Sequence, residues 1–117
     1  MNSLNNCVQL MGNLGKDVEL TSFDSGKKRA AFTLATNEYY KNNKGEKVQQ
    51  THWHNIVAWG KLAENMKIIL EKGAKVMVKG KLVSRSYEDK AGVTRYISEI
   101  IANEFVSIAK PKVQLED

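Results

Sequence analysis

One stretch of this chain repeats its apolar residues at helical spacing, while the segments on either side of it alternate. Residues 61–72 place Leu62, Met66, Ile69 and Leu70 on a single stripe. Gly73 follows Lys72 where a C′ glycine belongs, so the spacing predicts a helix over 61–72. Three segments of strand character precede it. Residues 7–15 mix alternation with glycines at 12 and 15, as a bent barrel strand does, and residues 18–20 continue that strand after the bend. Residues 22–26 read as a turn. Residues 29–36 read as a second strand with Phe32 and Leu34 on one face, and residues 51–59 as a third. The polar, basic run 41–47 between them is an exposed hairpin tip. After the helix, residues 75–85 carry Val76, Val78 and Leu82 on one face and Met77, Lys79, Lys81, Val83 and Arg85 on the other. A turn at 89–92 leads to a last strand over 95–106.

Three strands, one helix and two strands is the order of an all-β, five-stranded oligonucleotide-binding (OB) barrel with one α-helix between strands 3 and 4. A small β-sandwich could share the strands but would leave the helix without a role. A barrel also closes its own edges, which explains why the strands carry few edge-blocking devices. The 117 residues suit one domain, assigned to residues 1–109, with a short tail over 110–117 that holds the single proline, Pro111.

Composition narrows the function classes. The net charge of +5 and the pI of about 9.3 are consistent with a polyanionic partner but do not by themselves require one. The single cysteine, Cys7, cannot form an internal disulfide, which favours a reducing compartment. Its place beside an alternating run reads as a small buried residue rather than a nucleophile. Residues 1–6 lack the charged and apolar regions of a secretory signal. No run approaches the roughly 20 apolar residues of a membrane helix, so the expected location is cytoplasmic or nucleoid-associated. No Ser/His/Asp grouping, paired carboxylates or phosphate-cradling loop is visible, so the chain is not read as an enzyme. His52 and His54 share a strand face but lack a convincing third ligand, so no metal or cofactor is expected. A surface or subunit contact is the better role for His54.

The third strand carries the most informative pattern. Thr51, Trp53, Asn55, Val57 and Trp59 point one way, and His52, His54, Ile56 and Ala58 the other. The only two tryptophans therefore share a face, about 20 Å apart along a straight strand, which suits different bases of one polymer better than one small ligand. Tyr39 and Tyr40 lie at the base of the basic hairpin, and Tyr87 shares the parity of Lys79, Lys81 and Arg85. Rings interleaved with cations suit unpaired bases joined by phosphates. Tryptophans in a barrel are more often core than platform, whereas Thr51 and Asn55 on the same face argue for a surface. Parity alone leaves both readings open.

Several runs, in order, resemble one family. Residues 11–17 (Met-Gly-Asn-Leu-Gly-Lys-Asp), 32–36 (Phe-Thr-Leu-Ala-Thr), 51–54 (Thr-His-Trp-His) and 59–64 (Trp-Gly-Lys-Leu-Ala-Glu), with 79–82 and Arg95-Tyr96, are similar to bacterial single-stranded-DNA-binding proteins. The resemblance spans about residues 5 to 108. It implies an OB barrel that assembles as a homotetramer and coats single-stranded DNA, independent of sequence, in replication, recombination and repair. The implied stacking residues are Tyr40, Trp53, Trp59 and Tyr87. Many relatives have tryptophan at positions 40 and 87 and phenylalanine at 59. Lys41, Lys44, Lys47, Lys79, Lys81 and Arg85 are the candidates for phosphate contacts. The family's acidic, apolar-ended C-terminal tip, which recruits repair and replication proteins, has no match in residues 110–117. Rival readings are an adaptor of the same fold that binds mainly protein, an RNA-binding OB domain, and a metal enzyme built on His52 and His54.

Overall fold

A computed structural model describes residues 3–109. A short 3-10 turn at Ser3–Asn5 leads into β1 (Val8–Leu14), β2 (Glu19–Ser22), β3 (Lys28–Lys41), β4 (Lys47–Trp59), α1 (Lys61–Ile69), β5 (Lys75–Glu88) and β6 (Thr94–Ala109). The tail assigned to residues 110–117 lies outside the described residues.

β1 makes closure possible. It pairs antiparallel with β5 from Val8↔Gly80 to Asn13↔Lys75, and its last residues also pair with β3 at Asn13↔Ala35 and Leu14↔Leu34. Gly12 lies at this crossing, where a Cβ would run into the carbonyl of Ala35. On the far side β4 meets β6 in parallel at Ile56↔Ile100 and Val57↔Ile101. The ring β1–β3–β4–β6–β5 is thereby closed, and five strands form the expected OB barrel.

Where β1 was expected to bend and continue, the strand breaks instead. Residues 15–18 lose strand conformation, with Gly15 N–H still donating to Thr33 O at 3.0 Å, and β2 pairs only with β3, from Glu19↔Ala31 to Ser22↔Lys28. The link is tied to the helix end: the Lys72 amide donates to the Asp17 carboxylate at 2.7 Å, and Lys67 Nζ donates to the Val18 carbonyl at 2.9 Å.

The core is the inward parity of each strand plus one side of the helix. Ala30, Phe32 and Leu34 from β3, Ile56 and Ala58 from β4, Val76 and Val78 from β5, and Ala63 and Met66 from α1 are all buried. The helix ends at Ile69, earlier than its apolar stripe predicts. Leu70 is already extended, with φ −99° and ψ 145°, and drops into the core, while Ile69 is 43% exposed. The cause is β1: its end exchanges hydrogen bonds with this segment, Gly73 N–H to Leu14 O and Leu14 N–H to Ala74 O, both at 3.0 Å. Those pairings compete with another helical turn, and Gly73, at φ +87°, serves the turn rather than a helix cap.

Both long strand pairs outrun the barrel. β3 and β4 remain in unbroken register from Arg29↔Trp59 to Lys41↔Lys47. β5 and β6 continue to Glu88↔Thr94. Leu82, expected on the core face, is 47% exposed because its part of β5 has already left the barrel. Both tips are built alike. Asn42 accepts from the amides of Lys44 and Glu46, and Asp89 from those of Ala91 and Val93, with Gly45 and Gly92 at positive φ three residues on. Cys7, expected to be buried, is exposed because it precedes the first rung of β1.

Candidate nucleic-acid interface

The closed barrel separates the two parities of β4. Ile56 and Ala58 are fully buried, whereas on the other parity Trp53 is 61% and Trp59 43% exposed. The tryptophans are therefore surface residues, and burial does not account for their being tryptophan.

Each ring is backed on one side. Trp53 faces Ala35 across the ladder, and its ring lies over Gly15. A Cβ on Gly15 would come within 2.5 Å of the Trp53 ring, so the glycine lets the indole lie against the backbone. Trp59 stacks on Phe23, with centroids 5.9 Å apart and planes inclined by 28°. Phe23, itself 44% exposed at the β2–β3 turn, escaped the sequence reading. Its one signal was an aromatic ring in an otherwise polar turn. Rings held this way lose little side-chain freedom on stacking a base.

The register of the β3–β4 hairpin separates the two neighbouring tyrosines. Tyr39 opposes Gln49 and shares the face of Trp53 and Trp59, whereas Tyr40 opposes Val48 on the other face. They are 60% and 50% exposed. Lys47 Nζ lies 5.4 Å from the centroid of the Tyr39 ring. Lys41 and Lys47 are directly opposed in the ladder. Opposed like charges weaken a strand pair, a cost that a bound polyanion would relieve. Lys44 is exposed in the turn.

On β5, Tyr87 is 49% exposed and keeps the parity of Lys79, Lys81, Val83 and Arg85, as expected for a strand that runs this far. The cations differ in surroundings. Arg85 Nε donates to the Glu99 carboxylate at 3.2 Å. Lys79 is 3.9 Å from Glu104 and lines a separate cleft with Gln9 and Met77, away from the tryptophans. Lys41, Lys44, Lys47 and Lys81 have no carboxylate partner among the described residues. Among the described residues Glu99 is the one buried charged side chain.

The histidines have partners within the chain. His54 Nε2 lies 3.0 Å from the Thr36 hydroxyl, and His52 Nε2 lies 3.4 Å from Glu38. Burial first, and then the neighbouring His52, hold His54 below the ordinary histidine pKa. Among the described residues no group of three or more His, Cys, Asp or Glu is placed to hold a metal ion. No helix among them is long and apolar enough to cross a membrane.

Comparison with known proteins shows what the chain as a whole is similar to. The profile of the single-strand binding protein family matches residues 5–108. Single-stranded DNA-binding protein 1 of Chlorobaculum tepidum is 43% identical over 100 residues, which are 85% of this chain and 62% of that protein. The chain thus spans less than two thirds of that relative's length. Among solved structures, a Plasmodium falciparum SSB in complex with ssDNA superposes with a TM-score of 0.82 at 30% identity, covering 93% of this chain and 98% of that one. A deletion mutant of the single-stranded DNA binding protein from Thermus aquaticus superposes with a TM-score of 0.79 at 22% identity, covering 91% and 51%, and speaks to the fold alone.

Proposed function

The chain belongs to the single-strand binding protein family, and from that membership and its exposed rings we propose that it binds and protects single-stranded DNA without regard to sequence. The observation that carries the reading is the outward placement of Trp53 and Trp59 on a strand whose other face is closed core. Bases stack on these two rings and on Tyr87, each stack contributing about 1–3 kcal/mol. Lys41, Lys44, Lys47 and Lys81 meet phosphates, with Arg85 beside them and Lys79 at the far edge of the path. Because Tyr40 lies on the opposite face from Trp53, a base stacked on it belongs to a strand that has passed around the hairpin. Duplex DNA binds weakly, since its bases are already stacked inward.

The same reading places the chain in replication, recombination and repair, in the cytoplasm and at the nucleoid, acting by binding rather than catalysis and assembling as a homotetramer. Its test is a titration of intrinsic tryptophan fluorescence with poly-deoxythymidine at low and high salt, beside a duplex control. Strong quenching by the single strand alone, weakened by salt, is the expected result. Absence of both quenching and binding would turn the reading toward a protein-binding adaptor of the same fold.

A further inference from the structure

We propose that the basin over Asn55 and Val57, on the outer face of β4, is a single-base subsite that favours a base with an exocyclic amino group, cytosine over thymine among the pyrimidines, through the carboxylate of Glu99. The proposal rests on the single-strand reading above and deepens it: the chain binds any sequence, and the subsite adds only a severalfold preference at one base.

Asn55 and Val57 are the two outward residues of β4 between the tryptophans, and both line the basin; Arg29, Thr33, Arg85 and Glu99 are among the residues that wall it. Its volume is about 180 Å³. An engineered protein cavity of about 150 Å³ takes up benzene, so the space suits one pyrimidine ring. Val57 has outward parity yet is only 3% exposed, which gives the basin an apolar patch.

The Glu99 side chain lies on the outer parity of β6 and not in the barrel interior. The inward neighbour on β6 is Ile100, and an apolar residue at 99 would bury as well without the cost of desolvating a charge. Its carboxylate also sets a negative charge on the face that meets a polyanion. At 8% exposure its only polar partner among the described residues is Arg85 Nε, on one carboxylate oxygen. A carboxylate accepts about four hydrogen bonds, so acceptor capacity remains at the basin wall. Lys16, Arg29 and Arg85 stand against Asp17, Glu19 and Glu99 around the basin, so the wall as a whole carries no net charge toward passing phosphates. The N4 amino group of cytosine donates to such an acceptor, whereas thymine presents its O4 acceptor at the same position and is repelled.

The experiment is a comparison of ratios. The affinities of the whole chain for oligo-deoxycytidine and oligo-deoxythymidine are measured for the native protein and for Glu99→Gln. The glutamine can keep the bond from Arg85 through its oxygen while presenting an NH₂ donor in place of an acceptor. The cytosine-to-thymine affinity ratio is expected to shift toward thymine by about threefold to tenfold, as one charge-assisted hydrogen bond implies. A loosened fold lowers both affinities and leaves the ratio alone. The native protein supplies an independent arm: an oligonucleotide of N4,N4-dimethylcytosine, which lacks the donor, is expected to bind several-fold more weakly than oligo-deoxycytidine. An unchanged ratio in the variant, or equal binding of the dimethylated oligonucleotide, with both natural oligonucleotides still bound, overturns the subsite alone. Failure of the native chain to bind either natural oligonucleotide overturns the single-strand reading and the subsite with it.

Discussion

The two faces of the β3–β4 pair differ in what encloses them. Over the barrel, the inner face presents Ala30, Phe32, Leu34, Ile56 and Ala58, none more than 5% exposed. The outer face of the same residues' neighbours presents Arg29, Thr33, Trp53, Asn55 and Trp59. Beyond Thr36 and His52 the hairpin leaves the barrel, and Tyr39 and Tyr40 are comparably exposed although they point to opposite sides. Facing direction therefore decides burial only where there is an interior to face. In the projecting arm both faces meet solvent, and both are available to a ligand that wraps.

The largest effect that would test this contrast is on the inner face. Leu34→Ala should cost about 2–5 kcal/mol of stability through lost burial and a residual cavity, read in a denaturant melt, while affinity for single-stranded DNA under folding conditions changes little. On the outer face the order reverses. Trp53→Ala should weaken single-strand binding by about 1–3 kcal/mol and leave the melt nearly in place; a large loss of stability instead would return Trp53 to the core. In the arm, Tyr39→Ala and Tyr40→Ala should each weaken binding by about 1 kcal/mol. The double variant should show the sum, since residues that stack different bases act independently. Strong non-additivity would mean that the two rings serve one nucleotide.

The smallest effect concerns His54, where the inner face opens. Its folded pKa lies below the ordinary value of 6.5, so the unfolded chain takes up the proton more readily. His54 then subtracts nothing from stability above that pH and lowers it as pH falls below. Melting temperatures measured from pH 8 to pH 5 should decline less in His54→Gln than in the native chain.

Much of this was legible from residue order. The alternation put Phe32 and Leu34 on one face of the second strand, and Ile56 and Ala58 opposite Trp53 and Trp59 on the third; the structure keeps both divisions and its register joins the first two pairs as the inner side. The helix was legible as an element, but its end was not, because the hydrogen bonds of Leu14 that draw residues 70–74 into the barrel come from a strand more than fifty residues earlier. The polar ends of β3 and β4 toward their shared tip lacked the apolar alternation that marks a half-buried strand, so the reading stopped them at residues 36 and 51 although pairing carries them to Lys41 and Lys47. Phe23 was passed over because a stack with Trp59 joins two elements far apart in the chain. Glu99 was passed over because nothing local marks a carboxylate as buried.

Residue order by itself determined the element types, their order along the chain and the two parities of each strand, since a period of two and a period near 3.6 are local properties of the backbone. The tertiary structure alone decided which parity is interior, where each strand leaves the barrel, and which rings and charges from distant segments come together. These outcomes depend on curvature and closure, through which β1 reaches both β3 and β5 and β4 reaches β6. Exposure of Trp53 and burial of Glu99 are consequences of that closure, and no window of neighbouring residues contains it.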